Sequence, residues 1–411
     1  MFIKEFRIRN FMIHQDTILK LSPLTVFVGP NGGGKSAFFD AMLNFSMVSR
    51  GLLPQAFGPY PWSYRATLYR GASTVARIGY RLTMSQKETD QDSLVYELDY
   101  QQSSFTEDAA AFTIFSEKLT KQPNNVLLFD RSDPDAFPIS KDLPLENDRS
   151  LFSALRQKHM ANGTVSEDNL VSYCTQQISR FNKFRLDPSV LASPSRLPEI
   201  VEGAAVPFAP RVGYHGEDLA STLYYLSDTK APELELIKEE LREIDPEFRD
   251  FQFNTIGTDR IAFAAVYADR RQTIPSVKLS AGILIYLGLI VLVAAPNRPP
   301  VLMIEEPENG LTPQALKSFY KAARSLAFGE KPDMQSQVLM SSHSPYVICE
   351  AWNGEDRDFI HQVKIVSGKA QIRKFTDIVA AQQIHLGKDK AGERTHLSLS
   401  VAENVMSGYW S

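Results

Sequence analysis

Gly29-Pro30-Asn31-Gly32-Gly33-Gly34-Lys35-Ser36 satisfies the pattern G-x-x-x-x-G-K-[ST]. Its glycines let backbone N–H groups converge on phosphate oxygens with no Cβ in the way, and a helix following them presents its positive end to the same oxygens. In that setting Lys35 is expected to pair with β- and γ-phosphates and the Ser36 hydroxyl to ligate Mg²⁺. Val301-Leu302-Met303-Ile304-Glu305-Glu306 is an apolar strand ending in two acids. One carboxylate at such a tip can hold Mg²⁺, and its neighbour can polarise an attacking water. An apolar run before Glu-Glu is by itself an ordinary solvated strand end; joined to a phosphate loop it reads as functional. Lys278-Leu279-Ser280-Ala281-Gly282 opens a charge-free helix just upstream, and Gln337–Met340 leads downstream into Ser341-Ser342-His343-Ser344-Pro345. A histidine ending a strand is, alone, more often structural than catalytic.

These residues need elements to position them. Leu24–Val28 (LTVFV) is a short apolar run of buried-strand type, and an apolar-rich helix is expected from Ser36 to about Val48. Phe2, Ile3, Phe6, Ile8 and Phe11 fall in a strand-like amphipathic stretch, while Arg65–Met84 and Ser93–Tyr100 alternate like half-exposed antiparallel strands. Between about Phe112 and Ser195 the character changes. A polar connector over Asp130–Asp148 and helical patterns over Ser150–Met160 and Ser166–Phe184 predict a helical insertion. After the Pro- and Ser-rich residues 188–210, Leu234, Ile237, Leu241 and Ile244 make one apolar stripe along Pro232–Ile244. Gln252–Phe253 and Arg260–Ala268 read as strands. Apolar helices and buried strands then alternate through Ala281–Ala295, Val301–Ile304, Pro313–Leu326, Gln337–Met340 and Val363–Val366. Such alternation predicts a mainly parallel sheet with covering helices.

The order of phosphate loop, Leu-Ser-x-Gly, strand with Glu-Glu-Pro-Glu and strand with Ser-His-Ser-Pro resembles the ABC-type ATPases of the SMC/RecF class. More narrowly, it is similar to the stand-alone AAA-family branch found beside the overcoming-lysogenization-defect nucleases and in bacterial anti-phage systems. The opening from Ile3 to Phe11 shares this similarity, as do Tyr214-His-Gly-Glu-Asp218-Leu-Ala-Ser221, Ile304 to Pro313, and the closing Ser407-Gly-Tyr-Trp410. The resemblance covers roughly residues 1–110 and 205–411. It implies an α/β fold: an ABC-type P-loop NTPase head with an antiparallel β subdomain and a helical insertion. Residues 1–110 would carry the phosphate loop and β subdomain, 111–204 the mainly helical insertion, and 205–411 the signature, strand acids and switch histidine.

The same resemblance implies site roles. Lys35, Ser36 and the loop from Gly29 to Gly34 would bind ATP–Mg²⁺, with Glu305 supporting the metal and Glu306 positioning or activating water. His343 resembles the histidine that senses the γ-phosphate. Ser280 and Gly282 resemble the signature that closes on the nucleotide of a second subunit, with Asn309 near the D-loop between them. The Ser280 hydroxyl and the helix start at Ala281 would offer donors to a γ-phosphate that one subunit leaves partly solvated. The implied function is a cytoplasmic, ATP-hydrolysing switch that dimerises around ATP. It would control a separately encoded effector (a nuclease, a Toprim or HNH protein, or a toxin) in anti-phage defence. Two other readings stay open: a RecF-like maintenance ATPase that binds DNA directly, and a sensor or scaffold that holds ATP with little turnover. The sequence departs from the pattern in places. Glu305 stands where ABC proteins more often have Asp, and Thr312 where this branch frequently has His. Gln101 and Gln102 are equal candidates for the Q-loop glutamine.

Composition narrows the setting. A chain of 411 residues suggests about two or three domains. Lys+Arg 44 against Asp+Glu 48 leaves a net charge of −4, so no global basic field points to nucleic acid or membrane. Cys174 and Cys349 cannot build a disulfide framework or a cysteine-rich zinc site, which suits a reduced compartment. The N-terminus has charges inside its apolar stretch and no uninterrupted signal core. Although the 19 residues between Lys278 and Arg298 are uncharged, the apolar helix proper is Ala281–Ala295, only 15 residues. A membrane span needs about 20, so a buried core helix is expected.

Two further clusters stand out. Arg180-Phe-Asn-Lys183-Phe-Arg185 interleaves three cations with two aromatics, a pattern able to meet phosphates and stack bases. Cys174, Ile178 and Phe181 share a helical face with Phe184 three further on, and this favours a packed helix with a solvated basic side. Asp356-Arg-Asp358 resembles the D-x-D of Toprim nucleases, but the 68 residues after His343 are too few for such a domain, and no metal site is expected there.

Overall fold

The computed structural model describes residues 1–411 except 52, 58–62, 74–75, 106–109, 142, 163–167, 199–209, 269–272, 330–334, 355, 383, 385, 389–394 and 408–411. Gly408-Tyr409-Trp410 of the closing motif thus lies outside the described residues.

The chain opens with strands β1 (Phe2–Phe11), β2 (His14–Lys20) and β3 (Leu24–Val28), then helix α1 (Lys35–Val48). Next come α2 (Ser63–Thr67), β4 (Ile78–Ser85), β5 (Ser93–Phe105), β6 (Ala110–Gln122) and β7 (Val126–Asp130). The middle holds α3 (Leu151–Asn162), α4 (Asn169–Ile178), β8 (Asn182–Phe184), α5 (Pro188–Leu191), β9 (Ser195–Arg196), α6 (Leu219–Asp228) and α7 (Pro232–Ile244). There follow β10 (Phe248–Ile256), β11 (Arg260–Tyr267), β12 (Thr273–Pro275), α8 (Ala281–Ala294), β13 (Val301–Glu305), α9 (Pro313–Phe328) and β14 (Gln337–Ser342). The chain continues through α10 (Pro345–Asn353), β15 (Ile360–Val366), β16 (Lys369–Lys374), α11 (Phe375–Ala381) and α12 (Leu399–Ser407).

The central sheet runs β16-β15-β3-β14-β13-β8, and every pairing is parallel except that of the edge strand β16. Successive side chains of a strand point to opposite faces, so each central strand feeds two cores. Leu24, Val26, Val28, Leu302, Ile304, Val338 and Met340 enter the core made with α6 to α10. Phe27, Val301, Met303 and Leu339 enter a second core, shared with α1 and an antiparallel sheet. With both faces covered, these strands read as unbroken apolar runs. Helix α8 is buried continuously from Leu284 to Leu292, as expected for a helix without a polar face. No helix among the described residues is long and apolar enough to cross a membrane.

The antiparallel sheet runs β2-β1-β4-β5-β6-β7. Phe6 stacks on Tyr80 at 5.8 Å, and Phe45 of α1 meets the same tyrosine edge-on at 5.6 Å. A smaller sheet of β10, β11 and β12, with β9 also on β11, packs beside α6 and α7.

Two segments differ from expectation. The stretch expected to begin the helical insertion extends the antiparallel sheet as β6 and β7. Phe112 and Ile114 are buried on one side of a bulge at Phe115, and Glu117 and Leu119 on the other, while Phe115 and Lys118 face outward. Each half has the period of a strand, and the bulge flips it. Helices α3 and α4 then pack Phe152, Leu155, Val171 and Cys174 into the same core as α1. Buried Glu117 fixes this docking, since it accepts from Arg131 Nη2 at 2.6 Å and from the Leu151 backbone N–H at 2.6 Å, at the start of α3. The second difference is at Ser166–Phe184. The helix ends at Ile178, and Asn182–Phe184 pairs with β13 as an edge strand. Cys174, Ile178, Phe181 and Phe184 are all buried, but Phe181 joins the core of α1 from beyond the helix and Phe184 enters the opposite core.

Candidate functional site

Parallel pairing puts the C-terminal ends of neighbouring strands at one edge. Val28 is in register with Ser342, and Glu305 with Ser341. The loop after β3, the acids after β13 and the histidine after β14 therefore meet at that edge, where open α/β sheets bind ligands.

The glycine loop is pressed between two supports. A Cβ on Gly29 (φ +145°) would come 2.2 Å from the Val363 carbonyl oxygen, and one on Gly34 (φ +110°) 2.5 Å from Ile13 Cδ1. Neither position admits a side chain. His14, fully buried, supports the loop from below. Its Nε2 is 3.4 Å from the Gly34 carbonyl and its Nδ1 3.0 Å from Thr17 Oγ1. A carbonyl only accepts, so Nε2 carries the proton and Nδ1 accepts from the threonine. Lys35 Nζ donates to the Gly29 and Pro30 carbonyls at 2.7 and 3.0 Å. Burial lowers the Lys35 pKa, opposed by the charges of Glu306, Glu308 and Glu305. Ser36 is exposed. A cleft of about 580 Å³ is lined by Gly32, Lys35, Ser36, Arg70, Arg185 and Glu306, among others, within the size range of small-molecule sites.

The two strand-tip acids are held differently. Glu305 is buried; its Oε2 accepts from Tyr214 Oη at 3.2 Å and lies 3.4 Å from Lys183 Nζ. Glu306 sits at φ +48°, with its backbone N–H on the Ser341 carbonyl. Its Oε2 accepts from Arg185 Nη2 at 2.9 Å and from Asn309 Nδ2 at 3.1 Å. His343 is closer to a third acid. Its Nδ1 is 3.2 Å from Glu308 Oε1 and 3.9 Å from Glu306 Oε1. Glu308 Oε1 also accepts from Ser342 Oγ and the His343 backbone N–H, at 2.9 and 2.7 Å.

Lys183 and Arg185 are the residues the sequence reading misassigned. Neither belongs to a solvated helical face. They lie on and just beyond β8, two residues apart and so on one side of the extended chain, and each pairs with one of the strand-tip acids. Their signal was the basic cluster itself. Tyr214 and Glu308 belong to the Tyr214–Ser221 and Ile304–Pro313 segments, and their contacts show in the structure alone.

Other expected residues lie apart from the cleft. Ser280 is exposed and caps α8, accepting from the Ile283 N–H at 3.3 Å. Gly282 abuts the loop after β13, where a Cβ would meet the Gly310 carbonyl oxygen at 2.8 Å. Neither is among the described residues lining the cleft. Thr312 caps α9 through the Ala315 N–H at 3.3 Å. Gln101 and Gln102 lie in β5, opposite Thr113 and Phe112, away from the cleft lining. Asp356 is buried against Arg324 Nε at 2.8 Å and Tyr320 Oη at 3.0 Å, a structural ion pair.

The site's donor set fits a divalent cation bridged to phosphate. Glu305 Oε1 is buried without a hydrogen-bond partner among the described residues, and the Ser36 hydroxyl opens into the cleft. Such a cation keeps few protein ligands beside phosphate and water.

A protein-family model described as "AAA domain, putative AbiEii toxin, Type IV TA system" matches residues 24–349. Among solved structures, the chain is similar to the SmcHead bound to the C-winged helix domain of ScpA, with 11% identity and a TM-score of 0.54 over 92% of this chain and 99% of that one. It is also similar to the Smc head domain with an extended coiled coil bound to the C-terminal domain of ScpA derived from Pyrococcus furiosus, with 13% identity and a TM-score of 0.47 over 93% and 98%. No curated protein matches.

Proposed function

The chain belongs to the AAA-domain family whose model it matches and has the fold of an ABC-type ATPase head, and from that premise we propose that it hydrolyses ATP and closes on a second copy of itself around the nucleotide. The observation that carries this is the cleft in which Lys35 and Ser36 meet Glu306 at the C-terminal edge of the parallel sheet. Lys35 supplies a point charge to the β/γ-phosphates, and the backbone N–H groups of Gly32 to Ser36 cradle them. Ser36 and Glu305 would hold Mg²⁺, which would supply neutralisation of phosphate charge.

Glu306 orients a water and takes its proton as the water oxygen bonds to the γ-phosphorus. The bond to the bridging oxygen breaks, and its electron pair leaves with ADP. His343, held by Glu308, donates to the terminal phosphate. Exposed Ser280 and half-buried Gly282, both outside their own chain's cleft lining, complete the site of the second copy, with Asn309 near the boundary. The head–insertion–head division belongs to this reading with a shorter insertion than 111–204, because β6 and β7 extend the antiparallel sheet and β8 joins the central one. So does the output: closure controls a separately encoded effector in anti-phage defence. The family's description names a toxin and a type IV toxin–antitoxin system, which supports a separately encoded partner.

Glu306→Gln tests the reading. The amide keeps the shape and loses the proton-accepting charge, so kcat should fall about a hundredfold or more while ATP still binds. Wild-type turnover in this variant sinks the assignment.

A further inference from the structure

Arg185 lies one residue past β8, and its backbone is fixed. Its N–H donates to the Tyr214 carbonyl at 2.8 Å, and its carbonyl accepts from His215 Nδ1 at 3.1 Å. Its side chain is 54% exposed, whereas that of Glu306, bound to it, is 18% exposed. Among the described residues Nη2 is the one guanidinium nitrogen in a hydrogen bond, which leaves further donors of the fork unused. Both side chains line the cleft of Lys35 and Ser36.

We infer that Arg185 is the positioning residue through which the terminal phosphate of the nucleotide controls Glu306. Without that phosphate the guanidinium holds the carboxylate; with it, the guanidinium moves to the phosphate and releases the carboxylate. The inference rests on the ATPase reading above. Three physical points support the exchange. An ion pair this exposed is held weakly. A phosphate offers several anionic oxygens that match the planar fork, so it competes well for arginine. The carboxylate, meanwhile, has one oxygen committed to Arg185 and Asn309, and the exchange frees that oxygen to accept the proton of the attacking water. Lys183, two residues earlier, shows what a fixed cation looks like: its side chain is 9% exposed and lies between Asp40 and Glu305. Arg185 has one carboxylate, more solvent, and a route into the cleft.

The test compares nucleotides with and without the terminal phosphate. Calorimetry would measure Mg²⁺–ATPγS and Mg²⁺–ADP binding to the full chain, alongside steady-state ATPase kinetics. Arg185→Ala should weaken ATPγS roughly ten- to a hundredfold, the worth of one charge-assisted hydrogen bond, and leave ADP unchanged. The same variant should raise KM and lower kcat. Arg185→Lys, which keeps the charge and loses the fork, should recover part of both. Equal weakening of the two nucleotides, or unchanged binding of both, overturns the inference. Lys35→Ala separates the two levels, since it should lose both nucleotides. If it binds them as the wild type does, the ATPase reading itself fails.

Discussion

Lys183 Nζ stands 3.4 Å from Glu305 Oε2, with 9% and 3% of the two side chains exposed. The same ammonium is 2.5 Å from Asp40 Oδ1 on α1, so one cation ties β8, β13 and α1 together. Burial pulls its pKa down, but Asp40 and Glu305 outweigh burial and the net shift is upward. Lys183→Met would leave Glu305 enclosed beside the phosphate loop without its cation. Breaking a buried pair in this way costs about 3 kcal/mol, to be read from the midpoint of a denaturant titration at neutral pH. An unchanged midpoint would show that the pair contributes nothing to the fold.

Much of the site was legible because its chemistry is local. Gly29 to Ser36 is one contiguous loop, and Glu305-Glu306 ends a strand whose apolar run shows in the sequence. Their convergence followed from parallel pairing alone. Lys183 and Arg185 were not legible, for a physical reason. Cys174, Ile178, Phe181 and Phe184 keep a helical spacing, and what ends the helix is pairing of Asn182–Phe184 with β13, more than a hundred residues away. Strand formation of this kind depends on its partner rather than on local preference. In β6 the bulge at Phe115 breaks the period between Ile114 and Leu119, so the sequence shows no unbroken strand alternation there. Thr312, noted only for not being histidine, has a role of its own as the cap of α9.

His14 gives the fold a dependence on acidity. Burial pushes its pKa down to about 4, offset only by the bond to the Gly34 carbonyl. The native imidazole therefore stays neutral where the unfolded one, with a pKa near 6.5, is already protonated. Between those values the unfolded state binds more protons, so stability is lost as pH falls from about 6.5 toward 4. The loss from this one group approaches about 3 kcal/mol. His361 is also buried and shifted downward, so the informative quantity is a difference. Unfolding free energy measured from pH 7.5 to pH 4 should fall more steeply for wild type than for His14→Gln. Parallel curves would show that His14 is not the titrating group.

The exposed cap of α8 allows the shared-site reading to be tested without disturbing either chain's own phosphate loop. Ser280→Arg removes a cap worth about 1 kcal/mol, which a folded head tolerates, and puts bulk and positive charge on the face offered to a second copy. The variant alone should lose about a hundredfold in kcat, as expected when donors to the developing phosphate charge are removed, while still binding ATP in its own cleft. Lys35→Ala should be inactive for the opposite reason. Mixed in solution, the two form pairs in which one composite site joins the intact loop of the Ser280→Arg chain to the intact α8 turn of the Lys35→Ala chain. The other site carries both lesions. ATPase activity should therefore return in part on mixing two inactive proteins, and the recovered rate should rise with protein concentration as pairs form. If Ser280→Arg hydrolyses ATP normally by itself, the active site lies within one chain and the exposed α8 turn has no part in it.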